Sequence, residues 1–360
     1  MQQAVKKGGK PRVVIDARMV GPGGHGIGLY VLQLAEGLAR LELPYEPFYL
    51  VHSSCPSDSL LRRLPHRVTE LKFLEPAELV GLPGEIRKAG ASLYHATSFS
   101  SLIRYPCRYV QTVHDLNHLH FGSPLHKFYY RTLLLRSLRK AFAVYSVSDC
   151  AAMELRSWLL DHGVDRKVGV APNAIDLFPS GDDAGVLRHF GLRDGKYFYA
   201  LANSKPHKNL AMLERAYAAA LAKDADLPPL VLSVAGESSA RVIRTGPLAP
   251  EVLGALLRHA TAAFSPSLYE GFGRPPVEAA LAGTVPVASS IAVHHEVLEG
   301  VKEAVLLEPK NQEAWTAQFV AFSTFSGRVS EESKNWIRQR WSVDALAGNM
   351  DRAYRSALGL

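Results

Sequence analysis

Along the first half of the chain, short apolar runs alternate with stretches whose apolar positions recur every 3.6 residues. Val13–Asp16 reads as a buried strand and Ile27–Leu38 as a helix with one apolar stripe. Strand-like runs follow at Pro47–Val51, Arg67–Phe73, Ser92–Ala96, Arg108–Val113, Ala143–Ser148 and Lys167–Ala171. Helical patterns lie between them at Ala77–Ala89, Leu125–Lys140 and Asp149–Leu160. Strands without polar alternation, separated by amphipathic helices, predict an α/β protein with a parallel, doubly wound sheet buried on both faces.

Turn formers and acids interrupt the periodicity at Pro172–Asp176 and Phe178–Asp183, and the alternation restarts at Tyr197–Ala202. The expected organisation is a first domain over 1–172, a linker over 173–195, a second domain over 196–340 and a last helix over 341–360. Within the second domain a helix is expected at Leu210–Leu221. Strands are expected at Leu230–Ala235, Arg241–Thr245, Thr261–Phe264, Val285–Ala288 and Ala304–Leu307. One junction breaks the pattern. Only Gly236–Ala240 separates two strand-like runs, whereas parallel neighbours need a crossover of about a dozen residues. Either the chain shortens this layer or a segment is missing from it.

Composition sharpens the class. The 360 residues suffice for two domains, and 47% hydrophobic with 21% charged residues fits a globular enzyme. No apolar run approaches the ~20 residues of a membrane span. The first ten residues carry charge without an apolar h-region, so a tail without a secretory signal is expected. Cys55, Cys107 and Cys150 form no CxxC pair, which argues against a zinc cluster or disulfide framework and suits a reducing cytosol. A net charge of +7 favours phosphates, nucleic acid or anionic lipid alike. No nucleic-acid motif is present, and no nucleic-acid partner is expected. The Leu125–Lys140 helix carries aromatic, leucine and basic positions. It reads first as a core helix with a basic wet face and second as a membrane-surface helix.

Candidate chemistry sits where strand runs end. Gly21, Gly23 and Gly26 satisfy G-x-G-x-x-G, but the next strand ends in His52-Ser53 rather than the acid that would hold a nicotinamide cofactor's ribose. A phosphate-cradling backbone remains. His114-Asp115 ends another strand, the edge at which open α/β sheets bind ligands. The basic loop Asn203–Asn209 offers Lys205 and Lys208 as mobile charges for a diphosphate. In Ser265–Glu278 a loop with Gly271 and Gly273 leads into a helix opened by Pro275-Pro276, with Glu270 and Glu278 on either side. A glycine turn at a helix N-terminus binds anions, and the flanking carboxylates accept hydroxyls. Phosphate at the centre and hydroxyls at both ends describes a nucleotide sugar. Either glutamate alone reads first as a group favoured by capping and the helix dipole, and only second as a ligand contact. Asp224-Ala-Asp226 matches a metal-binding D-x-D, yet its place between a helix and Pro228-Pro229 reads as a solvated turn, and no metal is expected.

The string from Glu270 to Glu278 around Gly-Phe-Gly, followed by Ala282–Val287, resembles the E-x7-E signature of retaining glycosyltransferases of family 4. The resemblance implies a GT-B fold: two Rossmann-like parallel-sheet domains facing across a cleft, with the last helix returning to the first. Trp341 reads as the packing anchor of that helix. Gly26, Gly28, Lys205, Lys208, Gly271, Phe272, Gly273 and Glu278 are thereby implied as donor-binding residues, with Glu278 on the ribose. His114 and Glu270 are implied as the catalytic pair beside the transferred sugar, and Asp115 as the residue that orients its loop. Many relatives carry an arginine where this chain has Ala202 or Asn203, a role left here to Lys205. The nucleoside pocket is expected near the short 236–240 link, with Glu237 and Arg241 as candidates to line it. The family implies front-face substitution in which the leaving phosphate helps deprotonate the acceptor.

Ile15–Arg18 and Pro206–Asn209 look most like the mannosyl- and rhamnosyl-type members that build bacterial surface polysaccharides. The expected donor is GDP-mannose, with a UDP-hexose second, and no cofactor or metal. The expected acceptor is a saccharide or lipid-linked saccharide, met in the cytoplasm with peripheral contact at the inner membrane through the basic surface. A GT-B nucleotide-sugar epimerase, or a donor-binding protein without catalysis, is the alternative. The presence of both glutamates and Lys208 favours the transferase.

Overall fold

The computed structural model describes residues 9–21, 26–201 and 203–360; Gly23 of the glycine loop and Ala202 lie outside the described residues. Two compact units make up the chain, Met1–Ala174 with Val343–Leu360, and Ile175–Ser342.

The first unit is built on seven parallel strands: β1 Arg12–Asp16, β2 Glu46–His52, β3 His66–Thr69, β4 Leu93–Ala96, β5 Arg108–Thr112, β6 Ala143–Ser146 and β7 Val168–Val170. Their order is β3-β2-β1-β4-β5-β6-β7, so strand order reverses between β1 and β4. Val13, Val14 and Ile15 of β1 are fully buried, as a central strand covered on both faces requires. The Gly26–Ala39 helix follows β1, and at Gly28 a Cβ would lie 2.8 Å from the Met19 carbonyl oxygen. Glycine is therefore demanded there by close backbone approach. The Val343–Leu358 helix packs on Gly26–Ala39 and is pinned by Tyr354, whose hydroxyl lies 2.6 Å from buried His95.

A closed ionic cluster sits at the end of β1. Arg18 donates to both oxygens of Asp16 at 2.9 and 2.7 Å and to Glu78 at 3.1 Å. Tyr94 completes Asp16 at 2.8 Å and Ser100 completes Glu78 at 2.8 Å. Burial pushes the Asp16 carboxyl up, but Arg18 and Tyr94 more than offset it, leaving Asp16 below the ordinary carboxylate range. At Glu78 burial wins over Arg18 and holds that carboxyl above it.

The expected Leu125–Lys140 helix is a continuous helical stretch in three parts: Pro124–Tyr129, a π segment Tyr130–Leu134, and Leu135–Lys140. Tyr130, Leu134 and Leu138 enter the core. Leu125 and Phe128 stay 75% and 65% exposed at its N-terminal end, beside Lys127 and Arg131. The core reading holds for one face and fails for that end.

The second unit holds six parallel strands: β8 Phe198–Ala200, β9 Leu230–Leu232, β10 Val242–Arg244, β11 Ala262–Ser265, β12 Val285–Ser289 and β13 Val305–Leu307. The order is β10-β9-β8-β11-β12-β13, with its reversal between β8 and β11. Residues 183–189, inside the stretch expected to link the domains, form a helix whose Leu187 packs with Leu256 and Leu257 in this unit's core. Trp341 also belongs here. Its ring meets Phe272 edge-on at 5.0 Å and its indole N–H donates to the Val297 carbonyl at 3.2 Å. It anchors the second unit, not the last helix.

At the anomalous junction the chain passes directly from β9 to β10. β9 and β10 pair in parallel, Leu230 opposite Val242, with no helix over residues 233–241. Strands of three residues span only roughly 10 Å, and nine linking residues reach about 30 Å when extended, so the chain returns without a helical layer. The loop then covers the sheet edge: Ser238 and Ser239 hydroxyls accept from the Arg244 and Val242 amides at 2.9 and 3.1 Å. Arg241 does not line a pocket at the ligand edge. Its guanidinium bonds the Leu227 and Ala225 carbonyls at the opposite, N-terminal end of the strands.

Candidate active site

In the second unit the loops after β8 and β11, the two strands that flank the reversal, converge at the C-terminal edge of the sheet. Parallel α/β sheets bind ligands at such a switch point because neighbouring loops diverge there and leave a crevice. The loop after β8 makes one 3₁₀ turn, Pro206–Lys208, and stops at Asn209 in the left-handed region with φ 53°. Asn209 is then stapled to both neighbours, its amide donating to the Pro266 and Pro309 carbonyls at 3.2 and 2.9 Å. The Leu268 N–H donates to the His207 carbonyl at 2.7 Å. These bonds hold the lysine loop against the glutamate loop.

The result is a buried ion pair. Lys208 Nζ lies 2.5 Å from Glu270 Oε1, and Ser267 donates to the same oxygen at 2.7 Å. The two charged side chains are only 14% and 12% exposed. Burial alone would raise the Glu270 carboxyl; Lys208 and Ser267 outweigh it and hold the group ionised below the usual carboxylate range. Lys205 caps the same 3₁₀ turn and is exposed, without an ion-pair partner among the described residues.

Gly273 ends the turn in the left-handed region, φ 80° and ψ 54°, and caps the Arg274–Leu281 helix. That helix begins one residue earlier than its prolines suggested. Pro275 and Pro276 occupy its second and third positions, so the donors available to an anion come from the Gly271–Arg274 backbone and not from those two residues. Behind Gly273 stands His294, fully buried, its Nδ1 facing the Ser289 carbonyl at 2.9 Å. A Cβ at Gly273 would lie 2.7 Å from that ring, so only glycine fits. Phe272 is 3% exposed and turns its ring onto Trp341, leaving its backbone as the only part able to meet a ligand at the turn. Glu278 is paired with Arg274 at 3.0 Å and borders a cavity of about 160 Å³ with Asp176, Arg258, Lys334 and Arg338 among its walls.

In the first unit His114 follows β5. Its Nε2 faces the Thr97 carbonyl at 2.9 Å and therefore carries the proton, while the ring packs edge-on against Tyr30 at 4.9 Å. Burial pushes its pKa down to about 4, so the imidazole is neutral at pH 7. Its Nδ1 lone pair has no partner among the described residues and can accept a hydroxyl proton. Asp115 accepts from the Asn117 N–H at 2.9 Å, a bond that shapes the loop. Gly26 opens its helix with open space where a Cβ would point, no atom lying within 4 Å of that position, in contrast to Gly28.

The Asp224-x-Asp226 pair lies at the other end of the second sheet, in a turn where Asp224 accepts from the Asp226 N–H at 3.0 Å. Among the described residues no group of three His, Cys, Asp or Glu side chains is placed to hold a metal ion. Ser267 and His294 escaped the sequence reading. Ser267 has a local signal, three residues before Glu270, but His294 has none.

Comparisons with known proteins bear on the family and the fold. A family model described as Glycosyltransferase Family 4 matches residues 24–177, and one described as Glycosyl transferases group 1 matches residues 190–339. The chain is 28% identical over 233 residues to the serotype-specific mannosyltransferase WbdA of Escherichia coli, and 27% identical over 218 residues to the O-antigen chain mannosyltransferase RfbU of Salmonella typhimurium. Each match takes in 57% of this chain, but only 28% of WbdA and 58% of RfbU. Sucrose-phosphate synthase from Thermosynechococcus elongatus shares the fold at TM-score 0.73 and 17% identity, over 97% of this chain and 99% of that one. Anabaena Alr3699/HepE, solved in complex with UDP and glucose, does so at 0.70 and 16%, over 96% and 100%. Parallel sheets of seven and six strands together with these matches place the chain among the group 1 glycosyltransferases, with the GT-B fold.

Proposed function

We propose that the protein is a retaining hexosyltransferase that moves a sugar from a nucleoside-diphosphate donor to a saccharide or lipid-linked saccharide acceptor in the synthesis of a bacterial surface polysaccharide. The observation that carries this reading is the Lys208–Glu270 pair held against the Gly271–Gly273 turn at the sheet's switch point. It puts a mobile cation, backbone donors and a hydroxyl-accepting carboxylate side by side, the set that a sugar diphosphate needs. The mannosyltransferase relatives favour GDP-mannose, and the neighbour solved with UDP and glucose keeps a UDP-hexose second.

In this reading Lys208, Lys205 and the backbone of Gly271–Arg274 neutralise the diphosphate, Glu270 receives hydroxyls of the transferred sugar, and Glu278 receives the ribose. Gly26 and Gly28 meet the second phosphate through their N–H groups. His114, neutral and with Nδ1 open, accepts a hydroxyl of the sugar or acceptor. The leaving phosphate takes the acceptor's proton on the face that the new bond forms. The protein's work is then positioning and stabilising the charge that develops on the diphosphate, and no metal is required.

Transfer assays with GDP-mannose and UDP-glucose in the presence of a chelator test it. Retained anomeric configuration, undiminished activity in chelator, and loss of transfer in folded Lys208→Ala and Glu270→Ala variants are expected. An inverted product, or an absolute need for a divalent ion, overturns the mechanism. The reading also puts the protein in the cytoplasm, with Leu125, Phe128, Lys127 and Arg131 as its contact with anionic lipid. These residues join exposed apolar area to positive charge. Co-sedimentation with anionic but not neutral vesicles, weakened in Phe128→Ser, is the check.

A further inference from the structure

His294 is a buried titratable group for which the proposed chemistry has no use. It projects from the short Ala292–Val297 helix after β12, the strand next to β11, into the floor of the glycine turn. With Nδ1–H donated to the Ser289 carbonyl, its Nε2 holds a lone pair that is buried and has no partner among the described residues. An orphaned buried nitrogen costs free energy, so a fold that keeps one at a ligand turn calls for a reason.

The surroundings supply it. The point where a Gly273 Cβ would sit is 2.8 Å from Nε2 and 3.9 Å from Glu270 Cγ, so the imidazole and the glutamate side chain flank one side-chain-free residue. The charges that reach the ring are Glu270, which favours its protonation, and Lys208 and His295, which oppose it. Burial outweighs them all and holds the ring below the ordinary histidine range. Glu270, in turn, has Lys208 as its only ion-pair partner among the described residues, on an oxygen it also offers to Ser267.

A sugar diphosphate would compete for that lysine. We propose that His294 is the standby partner of Glu270: when a donor's diphosphate draws Lys208 away, the imidazole takes one proton from solvent at Nε2 and pairs with the carboxylate across Gly273. Lys208 leaving removes a repelling charge from the ring and a counter-ion from the carboxylate at the same moment. Donor binding is thereby coupled to uptake of a proton, and Glu270 keeps its charge and orientation for the sugar. His294 acts through Glu270 and is a positioning residue. This rests on the donor reading above, and two measurements separate the fates of the two.

The first needs no nucleotide. Proteins labelled with ¹³C-histidine are titrated by NMR, with the His294 signal assigned by its absence in His294→Gln. In the wild type the ring should titrate below the ordinary histidine range. In Lys208→Met its midpoint should rise by roughly one pH unit or more, and in Lys208→Met with Glu270→Gln it should fall back. An unmoved His294 in Lys208→Met overturns the proposal.

The second is calorimetry of UDP-glucose and GDP-mannose at pH 6.5, without acceptor, in buffers of different ionisation enthalpy. These diphosphates carry no group that titrates near neutrality, so proton uptake reports the protein. Uptake approaching one proton, lost in His294→Gln and in His294→Leu while binding persists, is expected. Binding with equal heats in every buffer overturns the standby role and leaves the donor reading intact. Absence of binding by either nucleotide sugar overturns the donor reading, and the Lys208→Met titration then decides the His294–Glu270 pairing by itself.

Discussion

Both units bury charged groups at the C-terminal edge of a parallel sheet, and the two clusters are built differently. At Asp16–Arg18–Glu78 every partner is answered. The guanidinium forks onto Asp16, reaches Glu78, and Tyr94 and Ser100 fill remaining acceptor positions. At Lys208–Glu270 one ammonium and one hydroxyl share a single carboxylate oxygen, and an imidazole nitrogen nearby is left open. A planar five-donor fork locks a network, whereas a point charge on a flexible stem can be lured away. The first cluster sets the loop after β1; the second is the one proposed above to exchange partners. Burial and charge are common to both clusters; completeness of the hydrogen bonding is where they differ, and it is the difference the variants below put to the test.

Breaking the closed cluster should have the largest effect on stability. Arg18→Leu leaves two buried carboxylates without a cation, and a loss of about 3–5 kcal/mol is expected. Hydrogen exchange at the β1 amides in denaturant would measure it; a change below about 0.5 kcal/mol, the ordinary surface range, would show that the cluster is not structural.

The open pair should respond in the opposite sense. Lys208→Ala is expected to lower kcat/KM by about 10²–10³-fold, the range seen when one stabiliser of developing charge is removed, with little change in unfolding midpoint. A large midpoint shift with unchanged kcat/KM would reverse the roles assigned to the two clusters.

Acid sharpens the contrast further. Asp16 sits below its unfolded-state value, so its contribution to stability is complete above that unfolded value and is lost as pH falls through the folded one. Glu78 is held above its own value and contributes with the opposite sign. The stability difference between wild type and Asp16→Asn should be greatest near neutrality and close as the solution is acidified. A difference that is constant with pH would contradict the ionised Asp16–Arg18 pairing.

The smallest expected effect separates the turn's backbone from its side chains. Phe272→Leu should cost about 1 kcal/mol of stability, as a shape change in a packed core does, and leave donor affinity within about twofold because the ring faces Trp341. A tenfold loss of affinity with unchanged stability would return Phe272 to the donor surface.

Much of this protein was legible in its residues taken in order. Strand and helix alternation is written in local periodicity, since burial of a parallel sheet on both faces demands apolar runs such as Val13–Ile15 and Leu230–Leu232. Lys208, Glu270 and Gly273 stood out as candidates for a related reason: loops at strand ends carry chemistry, and glycine and proline mark them. The short 236–240 link was visible as an anomaly but not as a solution, because three-residue strands are set by sheet pairing.

Pairing across the chain required the fold. Lys208 and Glu270 stand 62 residues apart, and no pattern in either loop announces a 2.5 Å contact. Phe272 and Trp341 read as a ligand residue and a helix anchor until packing turned them toward each other. His294, one histidine among 14, acquires meaning only because Gly273 lacks a side chain in front of it. Periodicity is a property of neighbours in sequence and determines elements. Which polar atoms are satisfied is a property of neighbours in space, and only the tertiary structure decides it.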